Sequence, residues 1–270
     1  MKRRSRYFDR KETREPERRR EEQAKALAAM MRLAARKSPL IRARIESLGI
    51  KPTKGTAFDL LRKLPVISRE RIVQMQLEDP PYAGLGNPDA AVDRIFTSPG
   101  PVYEPHLSES DPIWARAYHA AGFGPGDVVL NAFSYHLVAA GLTFHSGLRR
   151  VGATVVPSGA SSAAVQVQLI RDLGVTGYTG TPSFLRAVIG KAEEAGHDFR
   201  RDFRLRKAAF AAEPLHPSLR AEFEETYGID TYQMYGATEV GDVAYECREK
   251  TGWHLCEEVI VEIVDPETGL

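Results

Sequence analysis

A chain of 270 residues, 43% hydrophobic and 27% charged, has the balance of an ordinary soluble globular protein and can bury roughly three quarters of its unfolded surface in one large or two small domains. Its net charge of +1 is uneven: residues 1–22 hold ten Lys/Arg against six Asp/Glu, an excess of +4 that leaves −3 on the rest, and with acids mixed in and few aromatics this reads as a solvated, partly helical arm rather than a nucleic-acid-binding one. No run approaches the roughly 18–20 consecutive apolar residues of a membrane span, no apolar segment follows the N-terminal bases as in a secretory signal, and two cysteines make no disulfide framework, so a cytoplasmic chain is expected, with neither membrane nor nucleic acid as partner.

In chain order, residues 17–37 are rich in Ala, Leu, Met and charged helix formers and predict a helix stopped at Ser38-Pro39. A short helix is expected over 41–48, and two more, over 56–64 and 68–76, each followed by a proline-marked turn, at Pro65 and at Pro80-Pro81. This opening third reads as helical and irregular. From Asp111 a regular alternation begins. Asp111-Pro112 is a good N-cap with proline at the first helical position, and the helix runs to Gly122. Strands are expected over 127–133, 153–157, 175–178, 207–212 and 229–234, with helices over 137–150, 163–173, 182–195 and 217–227 between them. Short apolar strands alternating with helices predict an α/β fold, with a mostly parallel sheet flanked by helices. After Val240 the pattern turns β-rich, with strands expected over 242–247 and 253–265 around a turn at Lys250-Thr251-Gly252.

Ligands in such sheets sit beyond the carboxyl ends of the strands. Three polar clusters fall there: Ser134-Tyr135-His136, Ala212-Glu213-Pro214 and Tyr235-Gly236-Ala237-Thr238-Glu239. The last follows the strand 230–234 and carries the chemistry a nucleotide needs. An aromatic ring can lie on a base, a hydroxyl can donate to a phosphate, and a carboxylate can hold Mg²⁺.

The ordered set Tyr7–Arg14, Ser38-Pro39-Leu40, Phe133–His136, Gly152–Pro157, Gly180–Ser183, Ala212–Leu215, Tyr235–Glu239, Glu246-Cys247 and Glu262–Gly269 resembles the phenylacetate–CoA ligase branch of the adenylate-forming enzymes. Such enzymes activate a carboxylic acid with ATP to an acyl-adenylate and pass the acyl group to coenzyme A. The resemblance implies an acyl-CoA synthetase N-terminal domain type, with ATP, Mg²⁺ and coenzyme A as cofactors and an acid, aromatic by analogy, as substrate. It implies Tyr235 on adenine, Thr238 on the α-phosphate and Glu239 on Mg²⁺, with Gly236 in the same motif and Ala212, Glu213 and Pro214 on the adenine side. His136, Thr238 and Glu239 are the catalytic candidates; Phe133, Tyr135 and Tyr178 are candidates for the acid pocket.

Two departures from the family stand out. Its Ser/Thr/Gly-rich phosphate loop ends in lysine, whereas residues 96–105 here keep Thr97, Ser98 and Gly100 but have three prolines, Glu104 and no lysine. Each proline removes a backbone N–H donor. Ser98 and Gly100 remain the phosphate-binding candidates. The family's ribose-binding aspartate and its C-terminal domain with the catalytic lysine are expected beyond Leu270. The organisation expected is therefore a charged helical arm (1–37), a partial large-domain core (38–240) and a β-rich segment (241–270) ending before the C-terminal domain. A homodimer or a separately encoded C-terminal domain are the partners this leaves open. The alternative reading is a non-catalytic nucleotide- or acyl-adenylate-binding domain, or one part of a split ligase. Cys247, His254 and Cys256 could bring three soft ligands to a zinc ion, with free thiols as the plainer reading.

Overall fold

The structure, a computed structural model, describes residues 5–107, 113–265 and 268. The chain divides into two compact units, one of residues 9–107 and 260–270, the other of residues 1–8 and 108–259.

In the first unit, helix α1 (Pro16–Lys37) has proline in its first turn and buries Ala24, Leu27, Ala28 and Met31, the i, i+3, i+4, i+7 stripe of an amphipathic helix. That stripe packs on Ile45 of α2 (Pro39–Ser47) and on Ala57 and Leu60 of α3 (Ala57–Lys63). Residues 24–31 are thus part of the core of this unit, and the expected boundary at residue 37/38 falls inside it. Ser38, read as a stop, is also the N-cap of α2, its Oγ accepting the Ile41 N–H at 3.3 Å. Helix α4 (Arg69–Glu78) is capped by Ser68, whose Oγ accepts from Arg71 N at 3.2 Å. Strands β1 (Arg94–Ser98) and β2 (Val102–His106) form an antiparallel hairpin closed at Ser98↔Val102. This hairpin is absent from the sequence reading because Pro99, Pro101 and Pro105 disguise it. A two-stranded hairpin is all edge, where proline is tolerated.

The second unit holds α5 (Ala115–Ala120), β3 (Val128–Asn131), α6 (Ala140–Arg150), β4 (Thr154–Val156), α7 (Ala163–Asp172), β5 (Gly177–Gly180), α8 (Pro182–Glu194), α9 (Phe199–Asp202), β6 (Lys207–Phe210), α10 (Pro217–Ala221), β7 (Asp230–Ala237), β8 (Gly241–Tyr245) and β9 (His254–Leu255). The sheet order is β4-β3-β5-β6-β7-β8-β9. Strands β3 to β7 pair in parallel, and β8 and β9 add antiparallel. Alternating residues feed two cores: Leu130, Tyr178, Ala208 and Phe210 enter one, while Val129, Ala209, Tyr232 and Met234 enter the other. The strand order reverses at β3, with β4 on one side and β5 on the other.

The α/β alternation follows expectation, with four differences. Asp111-Pro112 lies outside the described residues, and α5 is described only from Ala115. The helix expected over 217–227 is α10 followed by a π-helical turn at Glu222–Thr226. Strand β7 continues to Ala237 instead of ending at Met234. The strand expected over 253–265 shrinks to His254–Leu255.

Candidate functional site

The three polar clusters lie at the carboxyl edge of the second unit's sheet, after β3, β6 and β7. The cluster after β3 is organised by Asn131, which is fully buried. Its Nδ2 donates to Tyr135 Oη at 2.8 Å and to the Gly141 carbonyl at 2.9 Å, while its Oδ1 accepts the Phe133 N–H at 3.1 Å. Tyr135 Oη is also 3.1 Å from His145 Nδ1. Burial pushes the Tyr135 phenol up to about 12, the Asn131 hydrogen bond opposing it, and burial followed by Arg149 pushes the His145 imidazole down. Tyr135 is therefore protonated near neutrality and shares a hydrogen bond with His145, its direction set by the imidazole tautomer. Ser134 Oγ accepts the His136 N–H at 3.1 Å, and the His136 side chain is exposed. Neither Asn131 nor His145 is singled out by the sequence. A lone Asn at a strand end carries no periodic signal, and the i, i+10 pairing of Tyr135 with His145 exists only once α6 folds back.

Two acid-pocket candidates are core residues instead. Tyr178 is fully buried; it packs on Phe210 with ring centroids 6.1 Å apart and directs its hydroxyl to the Thr181 carbonyl at 3.3 Å. Phe133 stacks on Phe144 at 4.3 Å within the other core. Strand alternation in β5 turns Tyr178 inward, while Phe133 lies past the end of β3 and is held by its stack on Phe144.

After β6, Ala212 adopts a left-handed backbone (φ 69°). Glu213 Oε2 accepts the Ser183 N–H at the start of α8 at 3.3 Å, and the Leu215 N–H donates to Gln233 Oε1 at 2.8 Å. Residues 212–215 are thereby tied to α8 on one side and to β7 on the other.

Tyr235, Gly236 and Ala237 end β7, and Thr238 and Glu239 form the turn into β8, closed by Val240 N to Ala237 O at 3.1 Å. Tyr235 is 60% exposed, and its ring meets that of Trp253 edge to face at 6.4 Å. Gly236 sits at a register irregularity, where a Cβ would lie 2.3 Å from the Gly241 carbonyl oxygen and 2.5 Å from Trp114 Cη2. Only glycine permits that approach. Thr238 and Glu239 are exposed.

Ser98 and Gly100 belong to the other unit, at the β1–β2 turn. Arg69 Nη2 donates to Ser98 Oγ at 2.5 Å and to the Pro99 carbonyl at 2.7 Å, and its Nε donates to the same carbonyl at 3.1 Å. Ser98 Oγ in turn donates to the Glu104 carboxylate. The cation at this turn therefore comes from α4, an origin that a motif search along 96–105 does not reach.

Cys247, His254 and Cys256 do not converge, which corrects the zinc expectation. Register pairs His254 with Tyr245, and Cys256 N donates to Val243 O at 2.9 Å, so Cys256 lies toward the opposite end of β8 from Cys247. Cys256 is a buried free thiol whose Sγ faces Asp242 Oδ2 at 3.2 Å. Among the described residues, no group of three or more His, Cys, Asp or Glu side chains could hold a metal ion, and no helix is long and apolar enough to cross a membrane.

A mostly parallel sheet with polar turns at its carboxyl edge and an exposed tyrosine before a Thr-Glu turn is the arrangement of an adenylate-forming domain. The chain belongs to the family of AMP-binding enzymes, whose model matches residues 108–270. It is 33% identical over 243 residues to the phenylacetate–coenzyme A ligase of Pseudomonas putida, covering 86% of this chain and 54% of that one. Against the enzyme of the same name from Escherichia coli (strain K12) it is 32% identical, covering 86% and 55%. The chain thus spans about half the length of the curated relatives it matches. A solved structure of 2-hydroxyisobutyryl-CoA ligase, in an open conformation with 2-HIB-AMP and CoA, shares the fold with a TM-score of 0.88 and 24% identity, covering 98% of this chain and 61% of that one.

Proposed function

We propose that this chain carries the nucleotide-binding part of an acid–CoA ligase. In that reaction a carboxylate oxygen attacks the α-phosphorus of ATP, pyrophosphate leaves, and the thiol of coenzyme A then displaces AMP from the acyl carbon. The observation that carries the proposal is the convergence of the 134–136, 212–215 and 235–239 segments at one sheet edge, with the Tyr235 face exposed. The phenylacetate–CoA ligase relatives favour an aromatic acid. Tyr235 is assigned to the adenine, with residues 212–214 beside it, Thr238 to the α-phosphate and the exposed His136 to charge developing there. Tyr135, its hydroxyl held between Asn131 and His145, is assigned to the wall of the acid pocket. Glu239 would hold Mg²⁺, which neutralises phosphate charge when bound; one hard carboxylate fits an ion that takes its remaining ligands from substrate phosphates and water. A cytoplasmic location, where ATP and coenzyme A are available, goes with this reading.

The Ser98–Gly100 turn is assigned separately to phosphate binding, with Arg69 in place of a lysine. Because Ser98 already hydrogen-bonds both Arg69 and Glu104, this turn also favours the second reading, a domain that binds a nucleotide or acyl-adenylate without turning it over, alone or as part of a split ligase.

Acid-dependent exchange of labelled pyrophosphate into ATP, across a panel of carboxylic acids, separates the two readings. Exchange with at least one acid, abolished by Glu239→Gln, supports the ligase. AMP binding without exchange supports the binding domain.

A further inference from the structure

The two segments assigned to the nucleotide, 212–215 and 235–239, are not covalent neighbours, yet one part-buried polar chain joins them. Gln233 stands two residues before Tyr235 on the same face of β7. Its Oε1 accepts the Leu215 N–H at 2.8 Å, and its Nε2 donates to Glu246 Oε1 at 3.3 Å. Glu246 Oε2 also accepts the Gln233 backbone N–H at 2.8 Å, and Glu246 N donates back to the Gln233 carbonyl at 2.9 Å. Arg220 on α10 holds both carboxylate oxygens through Nη2, each at 2.8 Å, while its Nη1 donates to the Thr231 carbonyl at 3.1 Å. Glu246 is 6% exposed.

The direction of these bonds is determined by chemistry. A carboxylate held by a guanidinium can only accept, so the amide NH₂ of Gln233 must face Glu246 and its carbonyl must face Leu215. Reversing the amide would set its oxygen against the carboxylate and its NH₂ against the Leu215 N–H. Glu246 thus fixes which way Gln233 points, and Gln233 fixes where the chain runs between Ala212 and Leu215. With Glu213 tied to Ser183, the loop is held at two points.

We infer that Gln233 and Glu246 are positioning residues that set the 212–215 loop against the Tyr235 end of β7, and so govern nucleotide affinity without touching the nucleotide. This rests on the assignment of those two segments to the nucleotide. Neither residue belongs to the exposed clusters that suggest a ligand, and nothing in their spacing marks them.

The test uses the full chain, with Gln233→Met, which keeps side-chain length and removes both amide functions, and Glu246→Gln, which keeps shape and removes the fixed acceptor. Hydrogen exchange at the Leu215 amide and calorimetric titration with AMP are read on each, with Tyr235→Ala as the comparison. In Gln233→Met, Leu215 exchange is expected to accelerate about tenfold and AMP affinity to fall about five- to tenfold, the size of one lost buried hydrogen bond. Glu246→Gln is expected to shift both in the same direction by less. If the chain turns over an acid, KM for ATP rises while KM for the acid stays put, a split that general destabilisation does not produce. Unchanged Leu215 exchange in Gln233→Met overturns the inference. So does faster exchange with unchanged AMP affinity while Tyr235→Ala weakens binding, which leaves the functional assignment standing. Wild-type chain that binds no AMP overturns both.

Discussion

Tyr235 and Trp253 meet edge to face across the β7–β8–β9 ribbon, ring centroids 6.4 Å apart and planes at 75°. Both are largely exposed, whereas the other tryptophan, Trp114, is buried and stacked on Phe144 at 4.5 Å. A base laid on Tyr235 therefore changes the surroundings of one of the two indoles and leaves the other alone. AMP is expected to shift the long-wavelength part of the tryptophan emission, and Trp253→Phe is expected to abolish that shift. Tyr235→Ala is expected to weaken AMP binding about tenfold, in line with roughly 1–3 kcal/mol for a base stacked on an aromatic ring. Thermal stability should change little, because the ring is exposed.

Gly236→Ala places a methyl group 2.3 Å from a backbone oxygen of Gly241 and 2.5 Å from the Trp114 ring. The oxygen belongs to the paired strand and cannot move aside as a flexible side chain would. A loss of about 1–3 kcal/mol is expected, as for an overpacked core, together with weaker AMP binding. Gly55→Ala, where an added Cβ meets nothing within 4 Å, serves as the control in the same thermal melts.

Asp242 faces the Cys256 thiol, with Glu258 and Arg116 as its charged neighbours. Burial pushes its carboxyl up to about 6 from an ordinary value near 3.8; the Cys256 hydrogen bond and Arg116 oppose that rise and Glu258 adds to it. An acid whose folded pKa is raised favours the folded state while it stays protonated. That contribution is complete below about pH 4, lost as pH rises to about 6, and absent above. Asp242→Asn is expected to be more stable than wild type at pH 7–8, by up to about 3 kcal/mol for a shift of roughly two units, and equal to it near pH 4. Melting temperatures of the two proteins from pH 4 to 8 check this; a gap independent of pH would contradict it.

Arg69 braces the β1–β2 turn through Ser98 Oγ and the Pro99 carbonyl, a fork that a point-charge ammonium does not reproduce. Arg69→Ala is expected to speed amide exchange across residues 98–102 and to cost about 1–2 kcal/mol. Arg69→Lys is expected to recover only part of that. Exchange rates equal to wild type in both variants would show that the turn holds itself.

The alternation of β3 to β7 with their helices is legible from the sequence because apolar runs such as Val128–Leu130 and helix starts such as Thr181-Pro182 carry local signals. Thr181 caps α8 as expected, its Oγ1 accepting the Phe184 N–H at 3.4 Å. The β1–β2 hairpin was hidden because three prolines oppose strand propensity, and the packing of α1, though its helix was predicted, was hidden because charge counting cannot see the Ala24–Met31 stripe. For the candidate site, the exposed clusters were visible as polar residues at strand ends. The groups that hold them were not. His145, Gln233 and Arg69 act across 10 to 30 positions, and Asn131 reaches the Gly141 carbonyl ten positions on; such pairings exist only once the elements are assembled. Tyr178 and Phe133 lie in the two cores, Tyr178 through the alternation of β5 and Phe133 through its stack on Phe144 beyond the end of β3.

The central claim is that the Tyr235–Glu239 turn and the 212–215 loop together hold an adenine nucleotide. Calorimetric titration of the chain with AMP, beside Tyr235→Ala, tests it most directly. Saturable binding of one AMP per chain, weakened about tenfold by the substitution, is the expected result. No binding by the wild-type chain, or equal affinity in the two proteins, would contradict it.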